Sequence, residues 1–186
     1  GQGDSLHVLK AESPGPTVGK LAPTMRRSAR LLYGIYVVMT LILILLLLLG
    51  GMPLFDSIVN AFATAGTGGF AIKNASIAAY DSYYLQGVLA VFMILFGVNF
   101  NLYYLILIRK AGQIWKSEEL RLYLGIIAFS TLTIAVNVRG LFSSLFDALH
   151  HSFFQVASIM TTTGFATVDF DLWPNYSRCM LVVLML

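Results

Sequence analysis

Apolar residues run from 31 to 49 without a single charge among them. At about 1.5 Å per residue, such a helix is long enough to cross a hydrocarbon core of roughly 30 Å. Gly50, Gly51 and Pro53 end the run. A shorter apolar stretch follows at 54–64, too short to cross, and leads into a glycine-containing loop at 65–70 and a polar segment with Lys73, Asn74 and Asp81. A second span is predicted over 83–108 and a third over 122–138, with a basic connection at 109–121 between them. The order then recurs: a short apolar helix at 146–160, a loop at 161–165, polar residues, and a last apolar run over 178–186. Residues 1–30, with Pro14, Gly15, Pro16 and Pro23, read as an irregular segment without the apolar core of a signal peptide. From Cys179 to Leu186 the closing run is wholly apolar yet too short to cross, so a chain cut inside a transmembrane helix is expected.

The two loops repeat each other. Thr67-Gly68-Gly69-Phe70-Ala71 and Thr162-Thr163-Gly164-Phe165-Ala166 lie 95 residues apart, with no gap in the match. Each follows a short apolar helix and lies between longer spans, an arrangement that places bare backbone carbonyls in a water-filled path. Irregular backbone at membrane depth persists only where it is buried in protein or lines water.

Composition agrees with a membrane protein. The chain is 58% hydrophobic and 11% charged, with mean hydropathy +0.78, whereas soluble domains carry about 25% charged residues. The pI near 9.1 does not indicate nucleic acid, because the basic residues sit beside apolar segments. Nine of the twelve Lys and Arg lie before the first span or between the second and third, and only Lys73, Arg139 and Arg178 lie on the other side. The positive-inside rule then puts residues 1–30 and 109–121 in the cytoplasm, and both glycine loops enter from outside. The outer side carries Asp56, Asp81, Asp147, Asp169 and Asp171, an acidic balance that concentrates cations within a Debye length of about 8–10 Å. The single cysteine, Cys179, excludes an internal disulfide framework and a cysteine-rich metal site and reads as a packing residue.

The loops suggest an ion pathway without covalent chemistry. The C-terminal end of a short helix favours a cation, and loop carbonyls can replace part of an ion's hydration shell. Glycine tolerates the positive φ that turns carbonyls inward. The candidate ion-binding residues are Gly66, Thr67, Gly68 and Gly69 in the first loop and Thr161, Thr162, Thr163 and Gly164 in the second. Neither loop contains a carboxylate, which favours a weakly hydrated monovalent cation over Ca²⁺ or Mg²⁺. The alternatives are flexible surface turns, which the repeated flanking order opposes, and a phosphate cradle, which lacks its Lys-[Ser/Thr] ending and its βα unit.

In order along the chain, Leu9-Lys10-Ala11-Glu12-Ser13-Pro14-Gly15-Pro16, Phe55-Asp56, Phe62-Ala63-Thr64, Gly68-Gly69-Phe70, Phe153-Phe154-Gln155-Val156, Thr161 to Thr167 and Trp173-Pro174 resemble the TrkH subfamily of the Trk/Ktr/HKT potassium transporters. The resemblance covers essentially the whole chain. It implies four span–pore helix–span repeats around one pore, each lending a filter segment with one key glycine. Gly69 and Gly164 match the filter glycines of the second and third repeats. On this match the first and fourth repeats are absent, as is the family's gating loop below the filter, so the fragment alone should not conduct. The resemblance implies potassium uptake across the bacterial inner membrane, a homodimer, and a cytoplasmic TrkA-like nucleotide-binding regulatory subunit. It implies no organic cofactor in this chain, with K⁺ itself as the substrate. A Na⁺-permeable relative is the rival within the family.

Other residues have two readings. Asn99 and Asn101 could line an inner cavity or hydrogen-bond between helices. Asp147, His150 and His151 could be drawn as the metal cluster of a membrane-embedded enzyme. Adjacent histidines cannot share a helix face, and residues 31–49 and 122–136 supply no His, Asp or Glu to complete the set. Asp56 and Asp147, each after a phenylalanine, read as local helix N-caps. Tyr80, Tyr83 and Tyr84 outside, and Tyr103 and Tyr104 inside, read as interfacial belts. Arg109, Lys110, Lys116 and Arg121 could contact a regulatory subunit, but orientation alone explains them.

Overall fold

A computed structural model describes residues 25–107 and 117–185, apart from the side chains of 25–28, 101, 104, 106 and 107. Seven α-helices lie among the described residues: α1 Met25–Leu49, α2 Leu54–Ala65, α3 Tyr83–Gly97, α4 Phe100–Leu107, α5 Glu118–Val138, α6 Leu145–Met160 and α7 Asn175–Leu184. Short 3₁₀ turns sit at Ser76–Ala79, Arg139–Leu141 and Phe170–Leu172. No strand occurs among the described residues. Ala29–Leu49 and Glu118–Leu141 are long and apolar enough to cross a membrane.

The two long helices are apolar on the outside as well as the inside. On α1, Leu43 and Leu47 are fully buried, whereas Tyr33, Val37, Leu41, Leu45 and Leu49 stand exposed. On α5, Ile134 and Val138 are buried, with Leu122, Phe129, Leu132 and Val136 exposed. A helix that is hydrophobic all round suits a lipid environment. The short helices α2 and α6 are held inside. α2 packs between α1 and α3, and α6 packs against α5, α3 and α7.

The helix starts differ from the sequence expectation. Ser144 is the N-cap of α6, its Oγ accepting from Asp147 N at 3.1 Å, and Pro53 precedes α2 without a side-chain cap. Asp56 and Asp147 are therefore not caps. Each occupies the third helical position, where a carboxylate still meets the positive end of the helix dipole. The two short helices differ in length, 12 residues for α2 and 16 for α6. The extra turn of α6 lies at its N-terminal end, so the two helix starts fall out of step while the two helix ends stay in step.

The run expected as one helix over 83–108 is broken. α3 ends at Gly97, Val98 is extended, and α4 begins at Phe100. A break strands carbonyls one turn earlier. Two tyrosines take them: Tyr123 Oη donates to Ile94 O at 3.3 Å and Tyr103 Oη to Leu95 O at 2.6 Å. Asn99, in the break, is buried and donates from Nδ2 to Glu119 Oε2 at 3.4 Å. It joins the broken span to the start of α5, the inter-helix reading of that residue. The side chain of Asn101 and residues 108–116 lie outside the described set, as do residues 1–24.

Candidate functional site: two matched helix-end loops

Both short helices end in the same backbone motif. After α2, Gly66 N donates to Phe62 O at 2.8 Å, Thr67 N to Thr64 O at 3.2 Å and Gly68 N to Ala63 O at 2.8 Å. After α6, Thr161 N donates to Ala157 O at 3.1 Å, Thr162 N to Ile159 O at 3.0 Å and Thr163 N to Ser158 O at 2.9 Å. Every donor and acceptor of the second set is the first set's residue plus 95. The crossed pair of bonds closing each helix is the Schellman arrangement, which needs a left-handed residue just past the end. Here that residue is threonine in both cases, Thr67 at φ 48° and Thr162 at φ 57°. A β-branched residue in this region is a true outlier, and strain of this kind collects at functional sites.

Two residues on, each chain turns left-handed again at the shared glycine, φ 63° at Gly69 and 84° at Gly164. The positive φ anticipated for glycine is thus present, and the preceding threonines share it. Gly68 and Thr163 sit between the left-handed residues.

The loops meet each other. A Cβ placed on Gly69 would lie 2.1 Å from the carbonyl oxygen of Thr163 and 3.4 Å from the carbonyl carbon of Gly164. The same atom on Gly164 would meet nothing within 4 Å. The segments beyond the loops are also joined, with Ala78 N donating to Ala166 O at 3.1 Å and Ala166 N to Ser76 Oγ at 3.3 Å. A cleft of about 210 Å³ is lined by Ser158, Ile159, Thr162, Gly164 and Met185.

Hydroxyls brace the second loop from behind. Ser158 Oγ donates to Phe165 O at 2.6 Å, Thr161 Oγ1 to Ala157 O at 2.7 Å, and Thr161 and Thr163 share a hydroxyl contact at 2.8 Å. Thr163 is buried and Phe165 fully so. The first loop is fixed at its helix end, where Tyr36 Oη on α1 donates to Ala65 O. Tyr36 itself stacks on Phe100 with centroids 5.9 Å apart. The two phenylalanines of the repeat differ: Phe165 is buried, whereas Phe70 is 76% exposed.

Nearer their N-terminal ends, polar pairs tie each short helix to the chain beyond its loop. Asp56 accepts from Tyr80 Oη at 2.5 Å, and His151 Nδ1 lies 3.0 Å from Thr167 Oγ1. Residues 56 and 151 are again 95 apart, so the counterpart of Asp56 is His151 and not Asp147. Asp147 accepts from Ser143 Oγ at 2.6 Å and Tyr83 Oη at 2.7 Å, and His150 Nε2 lies 2.8 Å from Gln86 Oε1. The two histidines thus turn to different neighbours, and no group of three or more His, Cys, Asp or Glu side chains converges among the described residues.

The Ser143 and Tyr83 hydroxyls hold the Asp147 carboxyl down to about 2. Burial pushes both His150 and His151 below the usual histidine value, and for His150 repulsion from His151 adds to it. These shifts act in separate pH windows. With folded values depressed, the histidines contribute stability that is lost as pH falls below the unfolded value near 6.5. Asp147 loses its contribution only as pH falls from about 3.8 toward about 2. The melting temperature is therefore expected to drop between pH 7.5 and about 5.5, with His150→Gln flattening part of that drop. A profile that His150→Gln and His151→Gln both leave unchanged would contradict the assignment.

Among the described residues, two helices long and apolar enough to cross a membrane, two shorter helices packed inside, and glycine loops brought together at their ends fit a membrane protein of the ion-transport class. Comparison with known proteins gives the family. The TrkH family, described as "Cation transport protein", matches residues 4–186, and the chain belongs to it. That is a family of cation transporters and not of enzymes. The chain is 32% identical over 182 residues to the Trk system potassium uptake protein TrkH of Escherichia coli K12, covering 95% of this chain and 38% of that protein. It is 31% identical over 181 residues to the protein of the same name from Salmonella typhimurium, with the same coverage. The crystal structure of the potassium transporter TrkH from Vibrio parahaemolyticus superposes with a TM-score of 0.84 at 28% identity, covering 97% of this chain and 39% of that one. The chain therefore spans about two fifths of the length of these relatives.

Residues missed in the sequence are Thr67 and Thr162 as left-handed positions, Ser158 as the rear brace, and Asp56 with Tyr80 as an anchor. Extending the 95-residue match upstream of the loops also pairs Ser57 with Ser152 and Asn60 with Gln155, which the sequence reading passed over.

Proposed function

We propose that this chain supplies two of the filter segments through which a Trk-type transporter takes up potassium ions. The observation that carries the reading is the meeting of two loops with identical backbone closure and identical left-handed positions. Gly66, Thr67, Gly68 and Gly69, with Thr161, Thr162, Thr163 and Gly164, offer neutral backbone and hydroxyl oxygens at the carbonyl ends of α2 and α6. A dehydrated monovalent cation is satisfied by such oxygens, while helix dipoles of the right sign add to the attraction. The relatives named above as potassium uptake proteins support K⁺ as the ion. The acidic outer side, with residues 1–30 and 109–121 in the cytoplasm, suits inward passage across a bacterial inner membrane.

Membership in the family extends the proposal to a homodimer and to a TrkA-like nucleotide-binding subunit on the cytoplasmic side. The test is expression of the intact transporter in a bacterium deficient in potassium uptake. Growth at limiting K⁺ should be restored, and K⁺ should be preferred over Na⁺. Failure to restore growth in cells that contain the protein in the membrane, or equal uptake of Na⁺, would refute it.

A further inference from the structure

Among the described residues, four buried side-chain oxygens lack a hydrogen-bond partner: those of Asn60, Thr131, Ser152 and Gln155. Two of them, Asn60 Oδ1 and Gln155 Oε1, lie 95 residues apart, at equivalent positions in the two short helices. One turn before each amide is a fully buried serine, Ser57 on α2 and Ser152 on α6. Each serine and its amide are spaced i and i+3, so they lie on one helix face. Neither pair belongs to the loops, and both sit about two turns behind them.

The two pairs are closed differently. On α2, the turn that follows α1 folds back over the pair, and Met52 meets both members. Ser57 Oγ donates to Met52 O at 3.2 Å, and Asn60 Nδ2 approaches Met52 Sδ at 3.5 Å. On α6, the position equivalent to Met52 is Asp147, which lies inside the extra first turn of that helix. Asp147 O is held inside the helix, where a carbonyl accepts from the amide four residues on, and Ser152 Oγ makes no bond to it. Ser152 Oγ and Gln155 Oε1, on residues 0% and 2% exposed and one turn apart on the same helix face, have no protein partner. Thr131, another of the four, belongs to α5, the helix packed most closely on α6. Buried polar atoms left unpaired are costly, and two to four of them around one point are what holds an internal water.

We propose that Ser152 and Gln155 bind a single buried water molecule that takes the place Met52 fills on α2. The pair acts as a positioning site: it fixes the face of α6 whose carbonyl end carries Thr162, Thr163 and Gly164. The water site stands on geometry alone, and its effect on ion preference rests on the filter reading above.

The test is a high-resolution cryo-EM map of the intact transporter, with K⁺ and Na⁺ uptake measured on the same variants. Density for a water is expected within hydrogen-bonding distance of both Ser152 Oγ and the Gln155 amide. It should vanish in Gln155→Leu, and the K⁺ over Na⁺ uptake ratio should fall several-fold while Gln155→Glu keeps the density. Should Gln155→Leu not fold, Ser152→Ala removes one oxygen alone and should weaken the density and the ratio in the same direction. A protein group bonded to both side chains, or no density at all, overturns the site. Loss of the density with an unchanged ratio overturns the positioning role. A wild-type transporter without K⁺ preference overturns the proposed function instead, and leaves the water site to be judged by the map.

Discussion

Replacing Gly69 by alanine is expected to reduce potassium uptake by the intact transporter far more than the same change at Gly164. Both glycines have positive φ, so alanine at either pays the left-handed cost of roughly 1–2 kcal/mol. Gly164 faces open space within 4 Å of its Cβ position, so that cost is its main burden, equivalent to about a 5- to 30-fold loss. At Gly69 a second obstacle is present, because the Cβ would lie 2.1 Å from a backbone carbonyl of the opposite loop. A flexible side chain could swing away, but Thr163 is buried and its amide is tied to Ser158 O at 2.9 Å. The loops must separate, and the spacing of oxygens around the proposed ion path changes with them. Rubidium or potassium uptake should therefore fall well beyond the Gly164→Ala value, together with the K⁺ over Na⁺ ratio. Equal effects at the two positions, or a larger one at Gly164, would refute the contact between the loops.

The parts of this fold that could be read from the sequence are those written in composition over many residues. The charge-free run at 31–49 and the short apolar stretches before each Gly-Phe pair are of that kind. So is the order span, short helix, loop, which repeats at a fixed spacing. What escaped is decided by single contacts between distant segments. The break at Val98 has no proline to announce it, and the carbonyls before it receive hydroxyl donors from Tyr123 and from Tyr103, which the sequence pattern reads only as an interfacial residue. The left-handed threonines follow from the Schellman closure, which a residue scale that assigns positive φ to glycine does not anticipate. Asp56 and Asp147 each follow a phenylalanine and read as N-caps, yet both lie at the third helical position and do not superpose in the 95-residue match. The extra turn of α6 shifts them by four positions, and the contacts show that Asp56 corresponds to His151. The pairs Ser57–Asn60 and Ser152–Gln155 were present in the sequence at the same spacing as the loops. They escaped because a polar residue on an apolar helix carries meaning only once its burial is known.

Phe70 and Phe165 occupy the same place in the repeat, and the sequence gives no reason to treat them differently. Within this chain their surroundings are opposite, since Phe165 is fully buried and Phe70 is 76% exposed. Phe165→Ala is expected to be the most destabilising single substitution near the loops, because removal of a buried phenylalanine ring costs about 3–5 kcal/mol. The cavity would open directly beneath the second loop. The Ser158 hydroxyl, now bonded to the Phe165 carbonyl at 2.6 Å, would then hold a backbone no longer anchored by its ring. Phe165→Leu keeps most of the volume and should cost distinctly less. Ser158→Ala removes one neutral hydrogen bond, about 1 kcal/mol, and leaves the Thr163 and Gly164 amides on the Ser158 carbonyl intact. Thermal melting of the purified intact transporter in detergent should rank the three as Phe165→Ala, then Phe165→Leu, then Ser158→Ala, from lowest melting temperature to highest. If Phe165→Ala melts with the wild type, the ring is not the support of the loop, and the burial that distinguishes the two halves of the repeat has no energetic consequence.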